Sequence, residues 1–440
     1  MREQIAFPAR SVMSDERRAR RSSWARTIAT ATIAVVLAGC AGASSPSPAA
    51  SPASTSAPSS ASAGPSAPAP SGPPIKIGGT LGLTGAYSGP SAGYKATYEY
   101  WAKKVNGSGG LLGRPVQLVI YDDESTPATA ATLYQRLINQ DKVDLLLAPY
   151  TTAVSSTIIP IAEQNKMVVW NGGFVNTAIF KKSAWVVTSY AHLEKDYTRG
   201  IYDMIATMSN KPTKVAIVTE QNPFALGTRD GYEGEGGALK LARDRGLEVV
   251  LSEEYAPTTT DFSSLIQRAK SADLFFALAL PNPAGLIAKA VNDAKYKPKV
   301  YCSCASEVTS LANWADLGAA GIGVISITSG WPTDKTAGIQ ELFDALKVSM
   351  KVTQLPNYAV VGMAILEIMQ QAVEGTKGLD QAKLRAYVNG HTFQTVEGPL
   401  KFGTDAYPEF SATYLQWQGK ENVVVWPKEK AGGTLISPIP

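Results

Sequence analysis

Short, wholly apolar runs that alternate with helical stretches extend through residues 75–440, and they constrain the fold more than any other feature of this sequence. Runs such as LLLA (145–148) and LFFALAL (274–280) carry an apolar residue at every position, as strands covered on both faces do. Strands that alternate with helices indicate right-handed βαβ units and doubly wound, mainly parallel sheets. The sequence therefore predicts an α/β fold.

The length of this part of the chain predicts two lobes. Residues 75–440 exceed the roughly 250–300 residues at which a single core stops growing. Strands are predicted at 75–83, 116–121, 143–148, 167–170, 215–219, 248–255, 274–279, 299–302, 323–327, 412–417 and 422–426. Helices are predicted at 94–105, 127–139, 154–164, 226–245, 262–270, 283–294, 339–352 and 358–373.

The first 39 residues have the pattern of a bacterial lipoprotein signal. An Arg-rich segment ends at Arg26, and residues 27–38 (TIATATIAVVLA) carry no charge. Twelve residues are too few to span a bilayer as a helix, which takes about 20, but they suit the apolar region of a signal peptide. The following LAGC sequence resembles a lipobox, which implies cleavage before Cys40, lipidation of its thiol and a membrane anchor on the extracytoplasmic side. A buried or free cysteine in an ordinary secretory signal is the alternative.

Residues 40–74 are predicted to be the lipidated cysteine followed by a disordered linker. From residue 41 to residue 74 the chain contains only Ala, Gly, Ser, Thr and Pro. Such a segment buries too little apolar surface to offset the entropy of the free chain. It would hold the folded part away from the membrane. From residue 75 onward no apolar run approaches 18 residues, so we predict no membrane-spanning helix there.

Charge and composition exclude several functional classes. Seven of the 41 basic residues and three of the 37 acidic residues precede Cys40. The rest of the chain therefore has 34 basic and 34 acidic residues. This balance gives no support to nucleic-acid binding through phosphate neutralisation. Two His and three Cys argue against a multi-histidine metal site or a cysteine-rich zinc module. Neither a metal nor a cofactor is predicted.

Two of the predicted strands end in residues that suit a small anionic ligand. In open parallel sheets, ligands bind beyond the carboxyl ends of the strands, near helix N-termini. The strand at 143–148 is followed by PYTT (149–152), and the strand at 167–170 by NGGF (171–174). Thr151 or Thr152 can cap the next helix and leave backbone N–H groups facing outward at its positive end, which favours a carboxylate. Helix capping without a ligand is the alternative.

Six motifs follow one another along residues 75–430. They are IKIGGTLGLTGAYSGP (75–90), VNGSGGLLGRPVQLVIYDDEST (105–126), PYTT (149–152), TTDFSSLIQRAKSADLFF (259–276), NYAVVGMAILE (357–367) and EGPLKFG (397–403). In their order and spacing the chain resembles the periplasmic substrate-binding proteins of branched-chain amino acid ABC transporters, which have the type I periplasmic binding protein fold.

The resemblance implies two Rossmann-like lobes that close on a ligand. Three hinge crossings would join them near residues 188–191, 329–331 and 405–410. Lobe 1 would comprise 75–190 and 330–406, and lobe 2 would comprise 191–329 and 407–440. The implied function is that of a solute-binding lipoprotein, not an enzyme, which captures a small amino-acid-like, amide or carboxylate ligand for the permease of an ABC importer. A ligand-sensing receptor of the same fold, acting on a regulator, is the alternative.

The resemblance also implies a ligand site built from both lobes: Tyr87, Ser88, Tyr150, Thr151, Thr152, Gly172, Gly173, Phe174, Phe224, Cys304, Glu307 and Tyr358. Thr151 would bind the ligand carboxylate. Phe174 stands where relatives usually have Thr, and Phe224 replaces a Tyr. Relatives hold a ligand ammonium with an acid on a lobe-2 loop, where this chain has Ser303 or Cys304, with Glu307 a few positions on. Amides, keto acids and aromatic acids therefore stay open as ligands beside free amino acids.

One pattern in the sequence resembles a hydrolase motif. Gly89–Gly93 matches G-x-S-x-G, with Ser91 in the place of the nucleophile and His391 as the partner in sequence order. The motif needs its Ser on a tight turn between a strand and a helix. Because the preceding predicted strand ends near residue 83, the turn would be loose, and no hydrolase site is predicted.

Two further pairs of residues are interpreted as structural. Asp122 and Asp123 follow a predicted strand and precede a helix start, so we predict that they cap that helix. Cys302 and Cys304 are predicted to be small apolar fillers, or else thiols that line the cleft, because a disulfide across one residue is strained.

Overall fold

The structure is a computed structural model that describes residues 68–180, 183–190, 197–306, 308–311, 313–356, 358–404, 407–408 and 412–440. The chain divides into two units, Met1–Ala63 and Gly64–Pro440. All described residues belong to the second unit. Cys40 and most of the predicted linker lie outside the described residues.

The first sheet has five parallel strands in the order β2-β1-β3-β4-β5. They are β1 (Ile75–Leu81), β2 (Val116–Asp122), β3 (Leu145–Leu147), β4 (Val169–Asn171) and β5 (Val186–Thr188). β3, β4 and β5 are buried at every position, as parallel strands covered by helices on both faces must be. We call this sheet and the elements packed on it lobe 1.

The second sheet has seven strands in the order β14-β13-β10-β9-β8-β6-β7. They are β6 (Lys214–Glu220), β7 (Glu248–Tyr255), β8 (Leu274–Leu278), β9 (Val300–Ser306), β10 (Val324–Thr328), β13 (Thr413–Trp417) and β14 (Asn422–Trp426). Strands β6 to β10 pair in parallel, whereas β13 and β14 are added antiparallel at one edge. We call this sheet and its helices lobe 2.

Helices cover both sheets. Those before β6 are α1 (Ser88–Gly107), α2 (Pro127–Asn139), α3 (Thr152–Asn165), α4 (Thr177–Phe180) and α5 (Arg199–Ala206). Next come α6 (Pro223–Asp230), α7 (Ala238–Asp244), α8 (Ser263–Ala269) and α9 (Ala284–Asp293). The last are α10 (Ile339–Met350), α11 (Ala359–Thr376) and α12 (Gln381–Val388), followed by the hairpin β11 (Thr392–Thr395) and β12 (Gly398–Lys401).

The chain returns from lobe 2 to lobe 1 through helices α10 and α11. α11 is apolar on most of its faces and its residues are largely buried, as expected of a helix enclosed by other elements. It packs on α1 so closely that a Cβ at Gly362 would lie 3.0 Å from the ring of Tyr94. The indole Nε1 of Trp101 donates to Gln370 at 3.0 Å. The chain therefore passes between the lobes three times: after β5, after β10 and between β12 and β13.

The predicted α/β class is confirmed, and one predicted helix is wrong. The sequence predicted a single helix at 226–245, but the structure has α6 and α7 with a turn between them. Gly231, Gly234, Gly236 and Gly237 in this turn have φ between 66° and 79°, a conformation that ends a helix and that glycine adopts at little cost. The prediction was based on the spacing of apolar residues and gave no weight to this cluster of glycines. β5, α5, α12 and the β11–β12 hairpin were not predicted.

The predicted capping role of Asp122 and Asp123 is also wrong. Thr126 occupies the N-cap position of α2, with Pro127 as the first helical residue. Asp122 instead accepts hydrogen bonds from the Thr84 backbone and hydroxyl, and Asp123 accepts from the Thr80 hydroxyl at 2.7 Å. Asp122 therefore ties the end of β2 to the loop between β1 and α1, and Asp123 ties the end of β2 to β1.

The last residues of the predicted linker contact the folded part. The Ser71 amide donates to the Gly113 carbonyl at 2.8 Å, and the Arg114 guanidinium donates to the carbonyls of Pro73 and Pro74. Attachment therefore begins a few residues before β1. Within the described part of the chain, no helix is both long enough and apolar enough to cross a membrane.

Candidate ligand-binding site

A cavity lies between the two lobes at the carboxyl ends of their strands. The centre of a water-sized molecule can occupy about 30 Å³ of it, and part of the cavity is open to solvent. The lobe-1 wall consists of Tyr150, Thr151, Thr152, Gly173, Phe174, Val175, Tyr190 and Tyr358. The lobe-2 wall consists of Phe224, Leu280 and Pro281. None of these lining residues carries a charge at neutral pH.

Thr151 forms the polar corner of the lobe-1 wall, which we call the α3 corner. It is the N-cap of α3, and its side chain accepts a hydrogen bond from the Val154 amide at 3.4 Å. Its backbone has φ 76° and ψ 148°, a region that non-glycine residues avoid and that costs on the order of 1–3 kcal/mol. Such strain tends to occur where function requires a fixed geometry, and at Thr151 it aims a hydroxyl and a helix N-terminus at the cavity.

A close backbone approach holds this strained corner. The Thr151 amide donates to the Gly173 carbonyl at 2.9 Å. A Cβ at Gly173 would lie 2.2 Å from the Pro149 carbonyl oxygen, so no residue other than glycine fits there without a shift of the backbone. Because the first N–H groups of a helix have no acceptor within it, the start of α3 offers donors and a partial positive charge to an anion.

The NGGF segment (171–174) after β4 shapes the cavity wall but leaves few backbone N–H groups free to bind a ligand. The Asn171 side chain accepts from the Gly173 and Phe174 amides at 2.9 and 3.0 Å and donates to the Phe174 carbonyl and the Thr188 hydroxyl. The Gly172 carbonyl accepts from the Tyr94 hydroxyl. The amides of Gly173 and Phe174, predicted as ligand contacts, are therefore already paired inside lobe 1.

A cluster of tyrosines closes the lobe-1 wall. The hydroxyls of Tyr150 and Tyr358 are 2.8 Å apart, and the Tyr358 ring stacks on Tyr94 with 5.3 Å between centroids. Tyr358 is the N-cap of α11 and has φ 63°. Like Thr151, the other N-cap residue of this wall, it therefore has a positive φ. Burial raises the pKa of Tyr150 and Tyr358, and both hydroxyls therefore stay protonated at neutral pH.

Tyr87 lies at the edge of the cavity and not among its lining residues. Its amide donates to the Ser125 hydroxyl at 3.0 Å, and its ring meets that of Tyr150 edge to face at 5.5 Å. Burial raises the pKa of the Tyr87 hydroxyl, and the nearby Thr151 side chain acts in the opposite direction. Ser88, the neighbouring predicted contact, is exposed at the start of α1.

The lobe-2 wall is positioned by Glu220, a residue that is not among the predicted ligand contacts. Glu220 is the last residue of β6 and is 5% exposed. Its Oε2 accepts from the Leu280 amide and from Asn222 Nδ2, both at 2.8 Å. Asn222 in turn caps α6 through the Ala225 amide at 2.9 Å, which places Phe224 at the cavity. An acid at the carboxyl end of a parallel strand was a sequence feature that could have identified it.

A direct contact joins the two lobes beside the cavity. Asn282, which follows the lining residue Pro281, donates from Nδ2 to the Ala86 carbonyl at 2.9 Å. Ala86 precedes Tyr87 in the loop after β1. Since both residues are exposed, this bond lies on the rim of the cavity.

The interpretation of Cys302 and Cys304 as free thiols is wrong, because the structure joins them in a disulfide. Between Cys302 and Ser306, β9 advances four residues while β10 advances only from Ile325 to Ile327. This bulge brings the two Cα atoms to 5.2 Å, within the usual disulfide range. Cys304 is fully buried and is not among the described residues that line the cavity. Glu307 lies outside the described residues.

The hydrolase alternative finds no support in the geometry. Ser91 is buried within the first turns of α1, whereas a nucleophile turn would expose it between a strand and a helix. His391 stacks on Tyr387 with 3.9 Å between ring centroids. Among the described residues there is no group of three or more His, Cys, Asp or Glu that could hold a metal ion.

Comparison with known sequences identifies a family that matches most of the chain. The profile of the family described as periplasmic binding protein matches residues 74–421. A Leu/Ile/Val-binding protein homologue of Brucella abortus is 20% identical over 351 residues, which cover 76% of this chain and 86% of that protein.

Comparison with solved structures finds the same fold. The branched-chain amino acid transporter substrate-binding protein LivJ of Streptococcus pneumoniae, solved with isoleucine, has a TM-score of 0.69 at 18% identity and covers 81% of this chain and 100% of its own. A solute-binding protein of an ABC transporter from R. palustris, solved with benzoate, has a TM-score of 0.67 at 20% identity and covers 80% of this chain and 96% of its own. At these identities the likeness establishes the bilobed fold.

Proposed function

This chain belongs to the periplasmic binding protein family, and on that premise we propose that it captures a small amino-acid-like, amide or carboxylate ligand between its lobes for an ABC importer. The family is one of substrate-binding proteins and not of enzymes. The ligand would be held by both walls of the cavity and handed to a permease in the membrane.

The α3 corner is the observation that supports this proposal most strongly. Thr151 is held in a costly backbone conformation that places a hydroxyl and the first amides of α3 at the cavity. A carboxylate bound there would receive charge-assisted hydrogen bonds, which are stronger than those between neutral groups. We therefore expect the ligand's carboxylate, or an amide oxygen in its place, to lie at this corner.

The remaining lining favours an apolar or aromatic body for the ligand. Phe174, Val175, Phe224, Leu280 and Pro281 present carbon atoms to the cavity, and the tyrosine hydroxyls lie on one side of it. Such lining with a few fixed polar groups is typical of small-molecule sites. The isoleucine and benzoate complexes of the two relatives in this fold fit a ligand that joins a carboxylate to an apolar group.

We also propose that the protein is anchored by lipid at Cys40 on the extracytoplasmic side, with residues 41–70 as a tether. The proposal is based on the uncharged segment 27–38, the LAGC sequence and the restricted composition of the linker. Metabolic labelling with a fatty-acid probe tests it: Cys40→Ser should lose the label and release the protein from the membrane fraction.

A thermal-shift screen followed by calorimetry on the purified full chain tests the binding function. The panel is the twenty L-amino acids with their amides, and benzoate, 4-hydroxybenzoate, 3-phenylpropanoate and 4-methylpentanoate. We expect at least one compound to bind with micromolar or tighter affinity and to lose affinity in Thr151→Ala, while the exposed Thr132→Ala leaves it unchanged. Binding that is equal in both variants would contradict the assignment of the α3 corner, and no binding at all would count against the function.

A further inference from the structure

A second and larger cavity lies between the two lobes, apart from the ligand-binding cavity. The centre of a water-sized molecule can occupy about 570 Å³ of it, against about 30 Å³ of the ligand-binding cavity, and the two cavities share no lining residue. It is bordered by the start of α1, the connection from α10 to α11, the segment after β9 and the β13–β14 turn. This space, the α1 crevice, lies between Gly93, Lys351 and Gln354 of lobe 1 and Ser310, Trp417 and Lys420 of lobe 2.

The charged residues that line the α1 crevice are two lysines, one from each lobe. Lys351 is the C-cap of α10, and Lys420 lies in the turn between β13 and β14. Neither side chain has an ion-pair or hydrogen-bond partner among the described residues, and the described lining contains no Asp or Glu. A single surface lysine is ordinarily hydrated, but two that line one cavity from opposite lobes create a positive potential that attracts an anion.

Polar side chains of the crevice add uncharged donors. Gln354 Oε1 accepts from the Asn422 amide at 3.2 Å and from Asn422 Nδ2 at 2.9 Å. Because a backbone N–H can only donate, these bonds fix the orientation of the Gln354 amide, and its Nε2 has no acceptor in the described ranges. Ser310 Oγ accepts from Asn422 Nδ2 at 3.1 Å, which leaves the hydroxyl proton for another acceptor. The crevice therefore offers hydrogen-bond donors beside its two positive charges.

The α1 crevice is built on the same two stretches of chain as the lobe-1 wall of the ligand-binding cavity. Gly93 lines the crevice, and the next residue, Tyr94, stacks on Tyr358, which lines the ligand-binding cavity. Pro356 lines the crevice two residues before Tyr358. Since the two lysines are on different lobes, a hinge movement changes the distance between them. A molecule that contacts both lysines must therefore favour one arrangement of the lobes over others.

We infer that the α1 crevice is a second binding site, for a small multivalent anion that bridges Lys351 and Lys420, and that its occupation changes the affinity of the ligand-binding cavity. Phosphate groups and polycarboxylates share the required chemistry, several anionic oxygens on one small molecule. The existence of the site does not depend on the proposed function, whereas the coupling to the first ligand rests on it. Binding is non-covalent, and no proton or electron is transferred.

Calorimetry of the purified full chain with citrate and with inorganic phosphate tests the site. Sodium chloride keeps the ionic strength equal in all titrations, so that general screening is the same. We expect at least one of the two anions to bind with a dissociation constant below about 1 mM. Binding of citrate alone would identify a polycarboxylate site, and binding of phosphate alone a phosphate site. If neither anion binds, the inference is wrong.

Lys351→Gln and Lys420→Gln test whether one anion contacts both lobes. We expect each substitution alone to weaken anion binding by at least about fivefold, because each removes a charge-assisted hydrogen bond. Lys289→Gln in lobe 2 and Lys383→Gln in lobe 1 remove the same charge from exposed positions outside the crevice and should weaken binding by less than about twofold. An effect of only one crevice lysine would exclude a bridge between the lobes, and equal effects of all four substitutions would exclude a specific site.

The coupling is tested with the tightest-binding compound of the ligand panel, titrated with and without a saturating concentration of the anion that binds. We expect its affinity to change by at least about threefold, with an equal effect of the compound on the affinity for the anion. The double variant Lys351→Gln/Lys420→Gln should show no change. An unchanged affinity in the wild type would refute the coupling but not the proposed function. If no panel compound binds, the proposed function and the coupling fail together, while the anion titrations still decide whether the site exists.

Discussion

The two walls of the cavity are built in different ways. The lobe-1 wall combines two positive-φ N-cap residues, a glycine held against backbone and a tyrosine cluster. The lobe-2 wall consists of three apolar residues held from behind by one carboxylate. Under the proposed function, lobe 1 would orient the polar end of a ligand, whereas the apolar residues of lobe 2 would cover it. Changes in lobe 1 should therefore affect folding and binding together, and changes in lobe 2 should affect mainly binding.

Gly173→Ala should have the largest effect, because it attacks the backbone contact on which the lobe-1 wall depends. The new Cβ would lie 2.2 Å from the Pro149 carbonyl oxygen, so we expect a loss of about 3–5 kcal/mol in the free energy of unfolding and no measurable ligand binding. Urea unfolding and calorimetry measure the two effects.

Gly89→Ala is the matched control for that substitution. Gly89 lies in α1, and a Cβ added there would have no atom within 4 Å, so alanine should leave stability unchanged or raise it by up to about 1 kcal/mol. Equal effects of the two substitutions would show that the lobe-1 wall does not depend on this close approach.

Glu367 tests whether the support of the lobe-1 wall responds to pH. It lies in α11, the helix that begins at the lining residue Tyr358, and its Oε2 accepts from the Val396 amide at 2.8 Å. Burial raises the pKa of Glu367 to about 7, above its value of about 4.3 in an unfolded chain. The folded state therefore holds the proton more tightly, and its stability should fall as pH rises from about 4.5 to about 7, by roughly 2–4 kcal/mol in total.

Glu367→Gln should remove this pH dependence. Urea unfolding of both proteins at pH 5, 6, 7 and 8 measures it, and the variant should gain stability relative to the wild type as pH rises. A constant difference between the two proteins across this range would mean that Glu367 titrates as in an unfolded chain.

Thr151→Ala should lower both the stability of the fold and the affinity for the ligand by a moderate amount. Loss of the N-cap oxygen should cost about 1 kcal/mol of stability, and loss of one partner of the ligand carboxylate should weaken binding by roughly 1–3 kcal/mol. Thr151→Ser keeps the hydroxyl and should retain most of both. If Thr151→Ala lowers stability but leaves affinity intact, the corner is a helix cap and nothing more.

Asn282→Ala should have the smallest effect and should separate binding from folding. It removes the exposed bond from lobe 2 to the Ala86 carbonyl, so we expect ligand affinity to fall by about 0.5–1.5 kcal/mol with an unchanged urea midpoint. Calorimetry and urea unfolding on the same sample measure this. A loss of stability without a loss of affinity would mean that Asn282 stabilises the fold and does not help the lobes to close on the ligand.

The sequence predicted those strands and helix ends that a local pattern of residues is sufficient to identify. Apolar runs located β3, β4 and β8. The hydroxyl residues after β3 predicted an N-cap of α3 at Thr151 or Thr152, and the structure places it at Thr151. The α6–α7 break was missed because apolar spacing was given more weight than the positive φ that the glycines of residues 231–237 adopt. β5 was not predicted, although it has three residues like β3 and β4.

The site was harder to predict because its key contacts are long-range. The role of Glu220 depends on Leu280, sixty residues away along the chain, and no local pattern links the two. The Cys302–Cys304 disulfide depends on a bulge between β9 and β10, which only the sheet register reveals. The Gly173 amide donates to the Asn171 side chain, and the Gly173 carbonyl accepts from the Thr151 amide. A segment with the residue types of a ligand-binding loop therefore serves to hold lobe 1 together.

A crystal structure of the full chain with its tightest-binding compound from the panel tests the central claim most directly. We predict density for the compound between the lobes, with its carboxylate or amide oxygen within hydrogen-bonding distance of the Thr151 hydroxyl and the first amides of α3. A compound bound elsewhere, or a cavity filled by the protein's own side chains while the compound is bound, would contradict the account.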